Sequence, residues 1–234
     1  MNQHSSATQQ QLIQQLRQAS QHLQQGQLPA AQQLFMAILQ IAPKQPDALF
    51  GLAQIAQQQG DLNKALALLE QTVVVAPGHA HARAALARLL SQAKQFAASN
   101  THYDWLIRNK GPHHSVLYYK AVNHAGMQEH QSAVSALAQA IQLAPQEAAL
   151  YELMGQEQFQ LQHYDEAAKA YQQAHRLGAR SPNLYGGITR AMQTVGRIEE
   201  ARQYYREAAA HFPQQLELRY QHWRIENTAV AKND

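Results

Sequence analysis

The chain has no cysteine, which excludes disulfides, thiolate metal sites and a cysteine nucleophile. That composition fits a reducing compartment. Glycine (11 residues) and proline (8) are scarce in 234 residues, which suits helices better than a sandwich or barrel. No stretch approaches the roughly 20 apolar residues that a membrane span needs, so no membrane partner is expected. Met1 to Leu16 is polar and glutamine-rich, without the basic end and apolar run of a secretion signal. With Met1 as the natural start, a soluble, cytoplasmic chain is expected. Charge of one sign is also lacking. The formal net charge of +3 is too weak for a nucleic-acid partner unless the cations cluster on one face. Apolar residues, by contrast, make up 45% of the chain, ample for one domain or one elongated repeat array.

The prolines reveal the organisation. Pro43, Pro77, Pro145 and Pro213 are separated by 34 residues or twice 34. The two missing members fall on Gly111 and Ala179, each followed shortly by a proline, Pro112 and Pro182. Other columns share the register. One small column holds Ala19, Ala53, Ala87, Ala121, Gly155 and Thr189, and a second holds Ala31, Ala65, Ser99, Ala133, Ala167 and Ala201. A large column holds Phe35, Leu69, Tyr103, Leu137, Tyr171 and Tyr205. Another holds Leu28, Leu62, Phe96, His130, Tyr164 and Ile198. A breaker column, Gly26, Gly60, Lys94, Gln128, Gln162 and Gly196, lies between the small ones. An ordinary bundle would show periods of about seven, not a gapless 34 repeated six times.

Each 34-residue unit accommodates two helices of about 14 residues and a tight turn. Small residues in facing columns let the backbones approach, and the large column fills the space against the next unit. Glycine suits the turn because it tolerates positive φ. Lys94, Gln128 and Gln162 must take that turn differently or with strain. Unit three, with Lys94 at the turn and Ser99 in a small column, is the expected soft spot. In unit one, Leu12, Leu16, Ala19 and Leu23 form a narrow stripe beside Gln15 and Gln18, which suits a helix covered on one side.

The pattern resembles the tetratricopeptide repeat. The fifth unit carries it most cleanly, through Tyr151, Met154, Gly155, Tyr164, Ala167, Tyr171 and Ala174, within HYDEAAKAYQQA. The second carries it through Leu49, Leu52, Ala53, Gly60, Ala65 and Pro77. The resemblance covers residues 12–213 and implies an all-α fold, a right-handed superhelical α-solenoid of antiparallel helix pairs. It divides the chain, as one array over 1–234, into repeats at about 12–45, 46–79, 80–113, 114–147, 148–181 and 182–215. A capping helix at about 216–228 follows, with Trp223 in the small column blocking any further partner helix and acting as a lid.

Chemistry is sparse. Of the 13 histidines, His79 and His81 flank one loop, and His113 and His114 occupy the equivalent place one repeat later. A metal site needs three or four converging ligands, and equivalent points of neighbouring repeats lie about 10 Å apart by helix-packing distance. No metal or cofactor is expected. With no phosphate loop after a strand and no recognisable triad setting, the chain is not expected to be an enzyme.

In the family it resembles, first helices line a concave face whose exposed positions contact an extended peptide. Carried over, those positions are Asp47, Phe50, Gln54 and Gln57 in unit two, and His81, Arg88 and Gln92 in unit three. They continue as Tyr118 and Val122 in unit four and Glu152, Gln156 and Phe159 in unit five. Asn183, Arg190 and Gln193 in unit six and Tyr220 and Arg224 in the cap complete the set. Aromatics and arginines are the residues that carry binding energy at interfaces. Arg88, Arg190 and Arg224 share a column, and arginine forks match carboxylates. The expected partner is therefore a protein or an extended peptide with acidic and apolar residues. Where a chaperone-tail clamp would carry lysine and asparagine, this chain has Leu16, Ser20, Gly51 and Gln54. RNA binding would need a basic inner face with base-reading pairs, which three arginines among glutamines do not provide. A free-standing adaptor is one reading. The alternative is an N-terminal substrate-presenting module of a larger enzyme, as in similar bacterial arrays joined to sulfotransferase, glycosyltransferase or hydroxylase domains. The polar tail ending at Asp234 is compatible with that.

Overall fold

The computed structural model describes residues 2–214, with side chains from residue 9 onward. The expected lid helix with Trp223, and the groove positions Tyr220 and Arg224, lie outside the described residues. Within them the chain forms twelve helices and no strand. They are α1 (Asn2–Gln24), α2 (Leu28–Ile41), α3 (Pro46–Gln58), α4 (Leu62–Val75), α5 (Ala80–Gln92) and α6 (Phe96–Lys110). Then come α7 (His114–Gly126), α8 (His130–Leu143), α9 (Ala148–Gln160), α10 (Tyr164–Arg176), α11 (Pro182–Thr194) and α12 (Ile198–His211). The second helices start on one column, Leu28, Leu62, Phe96, His130, Tyr164 and Ile198, and so keep the 34-residue period. Helix α1 begins ten residues before the expected repeat boundary at 12. No glycine or proline interrupts residues 2–24, and glutamine and alanine are fair to good helix formers.

Two compact units result, Met1–Gly111 with α1–α6 and Pro112–Asp234 with α7–α12. In each, neighbouring helices in the chain pack against each other. First helices also touch across repeats: α1 meets α3 in the first unit, and α9 meets both α7 and α11 in the second. Each unit therefore has a face built from first helices.

The turns inside the repeats are all alike. In each, the breaker residue bonds three positions back and the next residue five back, as in Gly26 N–H to the Leu23 carbonyl (3.1 Å) and Gln27 N–H to the His22 carbonyl (2.9 Å). This is the Schellman closure, which satisfies orphan carbonyls at a helix end and requires a left-handed residue. Gly26, Gly60 and Gly196 supply it at φ 73°, 80° and 80°. Lys94, Gln128 and Gln162 adopt the same geometry at φ 58°, 62° and 63°. Of the two ways open to them, they take the strained one.

Both small columns are buried, with every alanine in them and Ser99 and Thr189 at 0% exposure. Ser99 sits where only a small side chain fits, and its hydroxyl donates to the Ala87 carbonyl of the paired helix at 2.7 Å. The large column is buried too, from Phe35 to Tyr205. Two of its rings demand glycine opposite. The Phe35 ring lies against Gly51, and Tyr171 is inserted between Gly155 and Gly187. A Cβ on Gly187 would come within 2.5 Å of the Tyr171 ring, whereas one on the adjacent Gly186 would meet open space.

Polar ties add to the second unit. Tyr185, at 0% exposure, donates its hydroxyl to Glu207 at 2.8 Å, and His175 Nε2 lies 2.8 Å from the same oxygen. Arg180 approaches at 3.5 Å. Burial raises the Glu207 carboxyl, but hydrogen bonds from His175 and Tyr185, with the His175 and Arg180 charges, outweigh it and hold the group below its ordinary 4.5. Burial and Glu207 together raise the Tyr185 phenol.

Three outcomes follow. Gly187→Ala should destabilise by about 1–3 kcal/mol through overpacking, while Gly186→Ala should be neutral or stabilise by up to about 1 kcal/mol. Urea melts of the two variants check this, and equal effects would contradict the ring contact. Gln162→Gly should stabilise by about 0.5–1 kcal/mol, the left-handed penalty exceeding glycine's entropy cost. For Glu207 the folded carboxyl has the lower pKa, so its stabilisation is present above about 4.5 and is lost as pH falls through the folded value. The stability gap between wild type and Glu207→Gln should therefore shrink below that pH. A gap that widens on acidification would reverse the assignment.

Candidate functional site

In the first unit, α1 and α3 lie side by side, because the small residues Ala19 and Ala53 hold each against its own partner helix. The chain between them leaves a trough of about 810 Å³. Its floor is apolar: Leu16 and Leu23 from α1, Phe35 from below, and Gly51 and Phe50 from α3. Its rim is amide: Gln21, Gln24, Gln45, Gln54 and Gln58, joined by Ser20. Arg17 and Asp47 are its charged residues. Such a surface can seat a side chain on the floor and offer both donors and acceptors along its edges.

Phe50 is half-buried and holds its ring 5.0 Å from that of His79. His79 Nδ1 accepts from the Ala82 N–H at 3.1 Å, capping α5. Its proton is therefore on Nε2, which faces Asp47 at 3.4 Å. The cap on one nitrogen and the acid on the other orient the imidazole beside Phe50. Gln54 and Gln57 are half-buried on the same helix, whereas His81, Arg88 and Gln92 stand exposed on α5.

In the second unit, Tyr118 and Val122 are half-buried on α7, and Tyr118 packs edge-on against Tyr119 at 5.5 Å. Burial, followed by Tyr119 and Glu152, raises the Tyr118 phenol. Phe159 of α9 is half-buried, and the Arg190 guanidinium of α11 lies over its ring at 5.5 Å. The structure thus brings together an aromatic and a cation that the sequence placed one repeat apart. Glu152 is taken up by the Ser181 hydroxyl at 3.0 Å, so it is a strut between repeats. Gln156 and Asn183 are exposed, and Gln193 is half-buried.

Sequence reasoning assigns no partner contact to α1, reading it as a helix covered on one side, although Leu16 and Ser20 stand at clamp positions. It also missed Glu157, which is 1% exposed and lies 2.7 Å from His130 Nδ1. A signal for one member of that pair existed. His130 stands in an otherwise apolar or aromatic column with Leu28, Leu62, Phe96, Tyr164 and Ile198, whereas the Glu157 column mixes Gln21 and Asn123 with Ile55, Leu89 and Ala191. A polar residue in an apolar column needs a polar partner, and Glu157 supplies it.

The histidines do not converge. The His79 and His81 rings are 6.4 Å apart, and those of His113 and His114 are 4.4 Å apart. Among the described residues no group of three or more His, Cys, Asp or Glu side chains is placed to hold a metal ion. No described helix is long and apolar enough to cross a membrane.

No curated protein matches the chain in sequence. Two family models do, both for the tetratricopeptide repeat, over residues 22–89 and 148–177. Among solved structures, PilF of Pseudomonas aeruginosa superposes with a TM-score of 0.74 at 16% identity, covering 92% of this chain and 97% of its own. PilW, described as a widely conserved type IV pilus biogenesis factor, gives 0.73 at 17% identity, covering 94% and 99%. MamA from Desulfovibrio magneticus RS-1 gives 0.66 at 15% identity, covering 71% and 94%. Those likenesses establish the fold. With the six helix pairs, their turns and their buried columns, they lead to one assignment: the chain has the tetratricopeptide-repeat fold, and residues 22–89 and 148–177 match that family's models.

Proposed function

We propose that the chain is a protein-interaction scaffold, and that the first-helix face of each unit holds an extended segment of a partner protein. The trough between α1 and α3 carries this reading: it is an apolar floor with a hydrogen-bonding rim, and Ser20, Gln21, Gln24 and Gln58 along it are exposed. Half-buried Phe50, Tyr118 and Phe159 add aromatic area, the kind of surface that concentrates binding energy. Exposed Arg88, and Arg190 above Phe159, provide forks for acidic groups of the partner. PilW's part in pilus biogenesis supports a scaffold role for this fold, with no catalytic step required of it.

Paired affinity capture from the source cell, with wild type and the Phe50→Ala/Tyr118→Ala variant, tests the face. Each truncation at a hot spot should cost about 2 kcal/mol of binding. Quantitative mass spectrometry should then show partners depleted at least tenfold, with helicity retained. Equal recovery by both proteins would move the binding surface to the second helices or the loops. Charge reversal at Arg190 should slow association and lessen its salt dependence.

A further inference from the structure

The trough differs in chemistry from the arginine-bearing positions. Gln45 Oε1 is used, accepting the Asp47 N–H at 2.9 Å at the start of α3. Among the described residues, the side-chain amides of Gln21, Gln24, Gln54 and Gln58 make no hydrogen bond to protein. Its formal charges are one each of Arg17 and Asp47, which cancel. The four positions where the chaperone-tail clamp of the family would place lysine and asparagine, Leu16, Ser20, Gly51 and Gln54, all face this trough and are all neutral here. A charged ligand side chain would lose water there without a matching ion, a costly exchange. A peptide group, with one N–H and one C=O, matches a carboxamide, which is both donor and acceptor.

We propose that the trough selects an uncharged extended peptide segment, read through its backbone by the glutamine amides, with one apolar side chain seated on Leu16 and Phe50. The stretch of α1 from Ile13 to Gln24 rises about 16 Å, room for about five extended residues. The proposal rests on the scaffold reading and specifies the ligand chemistry of one of its surfaces.

The test uses the full chain, immobilised, to select from a displayed library of random twelve-residue peptides. Selected peptides are then synthesised and titrated. Binders should carry no net charge over a five-residue core with one large apolar residue. Their affinity should change less than threefold between 50 and 500 mM salt. Methylating a core backbone nitrogen should weaken binding about tenfold, as should Gln54→Leu/Gln58→Leu in the protein, with the melting temperature unchanged. Acidic binders that are salt-sensitive and depend on Arg88 or Arg190 would overturn the proposal while leaving the scaffold reading intact. Neutral binders indifferent to backbone methylation would overturn the amide reading. No binders, or binders indifferent to Phe50, Tyr118 and both arginines, would overturn both.

Discussion

The close approach of paired helices across two columns of small side chains is the constraint on which the rest depends. Alanine at Ala19 and Ala31, and at their equivalents along the chain, is fully buried because the backbones leave no room for more. That approach is possible because each turn closes within three residues by the same pair of hydrogen bonds. Three of the six turns use a non-glycine residue at positive φ, so the chain accepts local strain to keep the pairs in register. Once the pairs are set, the large column must find space in the next repeat. Phe35 and Tyr171 find it against Gly51 and Gly187, which stand four repeats apart at the same register position. In these two repeats the aromatic and the glycine sixteen residues later are one feature written at two places, whereas Tyr103 has Tyr119 at that distance.

Most of this was legible in the sequence because it is periodic. The starts of the second helices fall on a column that is visible in the bare chain, and the small and large columns are buried as their residue types require. What escaped was not periodic. The Tyr185–Glu207–His175 network joins three helices through His175 and Glu207, which have no counterpart in other repeats. His130 could have been singled out as the polar residue that breaks an apolar column, but nothing periodic names Glu157 as its partner. The α1 wall of the trough escaped because a helix read as a narrow apolar stripe also has a polar side, and glutamines do not announce a role.

Two kinds of surface divide the proposed partner-facing chemistry. Arginines stand exposed on α5 and α11, one of them over an aromatic ring, and suit carboxylates. The α1–α3 trough is neutral, with amide edges and an apolar floor. The proposal that both serve partner binding rests on side chains that the fold leaves exposed. The small and large columns form the core and His79, Gln45, Asp61 and Ser181 cap helices, while Gln21, Gln24, Gln58 and Arg88 stand exposed on the first helices.

The central claim is that first helices, not second helices, carry the partner. Amide hydrogen exchange of the full chain, with and without a saturating selected peptide, addresses it directly. Slowed exchange at the side-chain-bearing face of α1 and α3, with α2 and α4 unchanged, is the expected result. Protection confined to α2, α4 or the loops between repeats would contradict it.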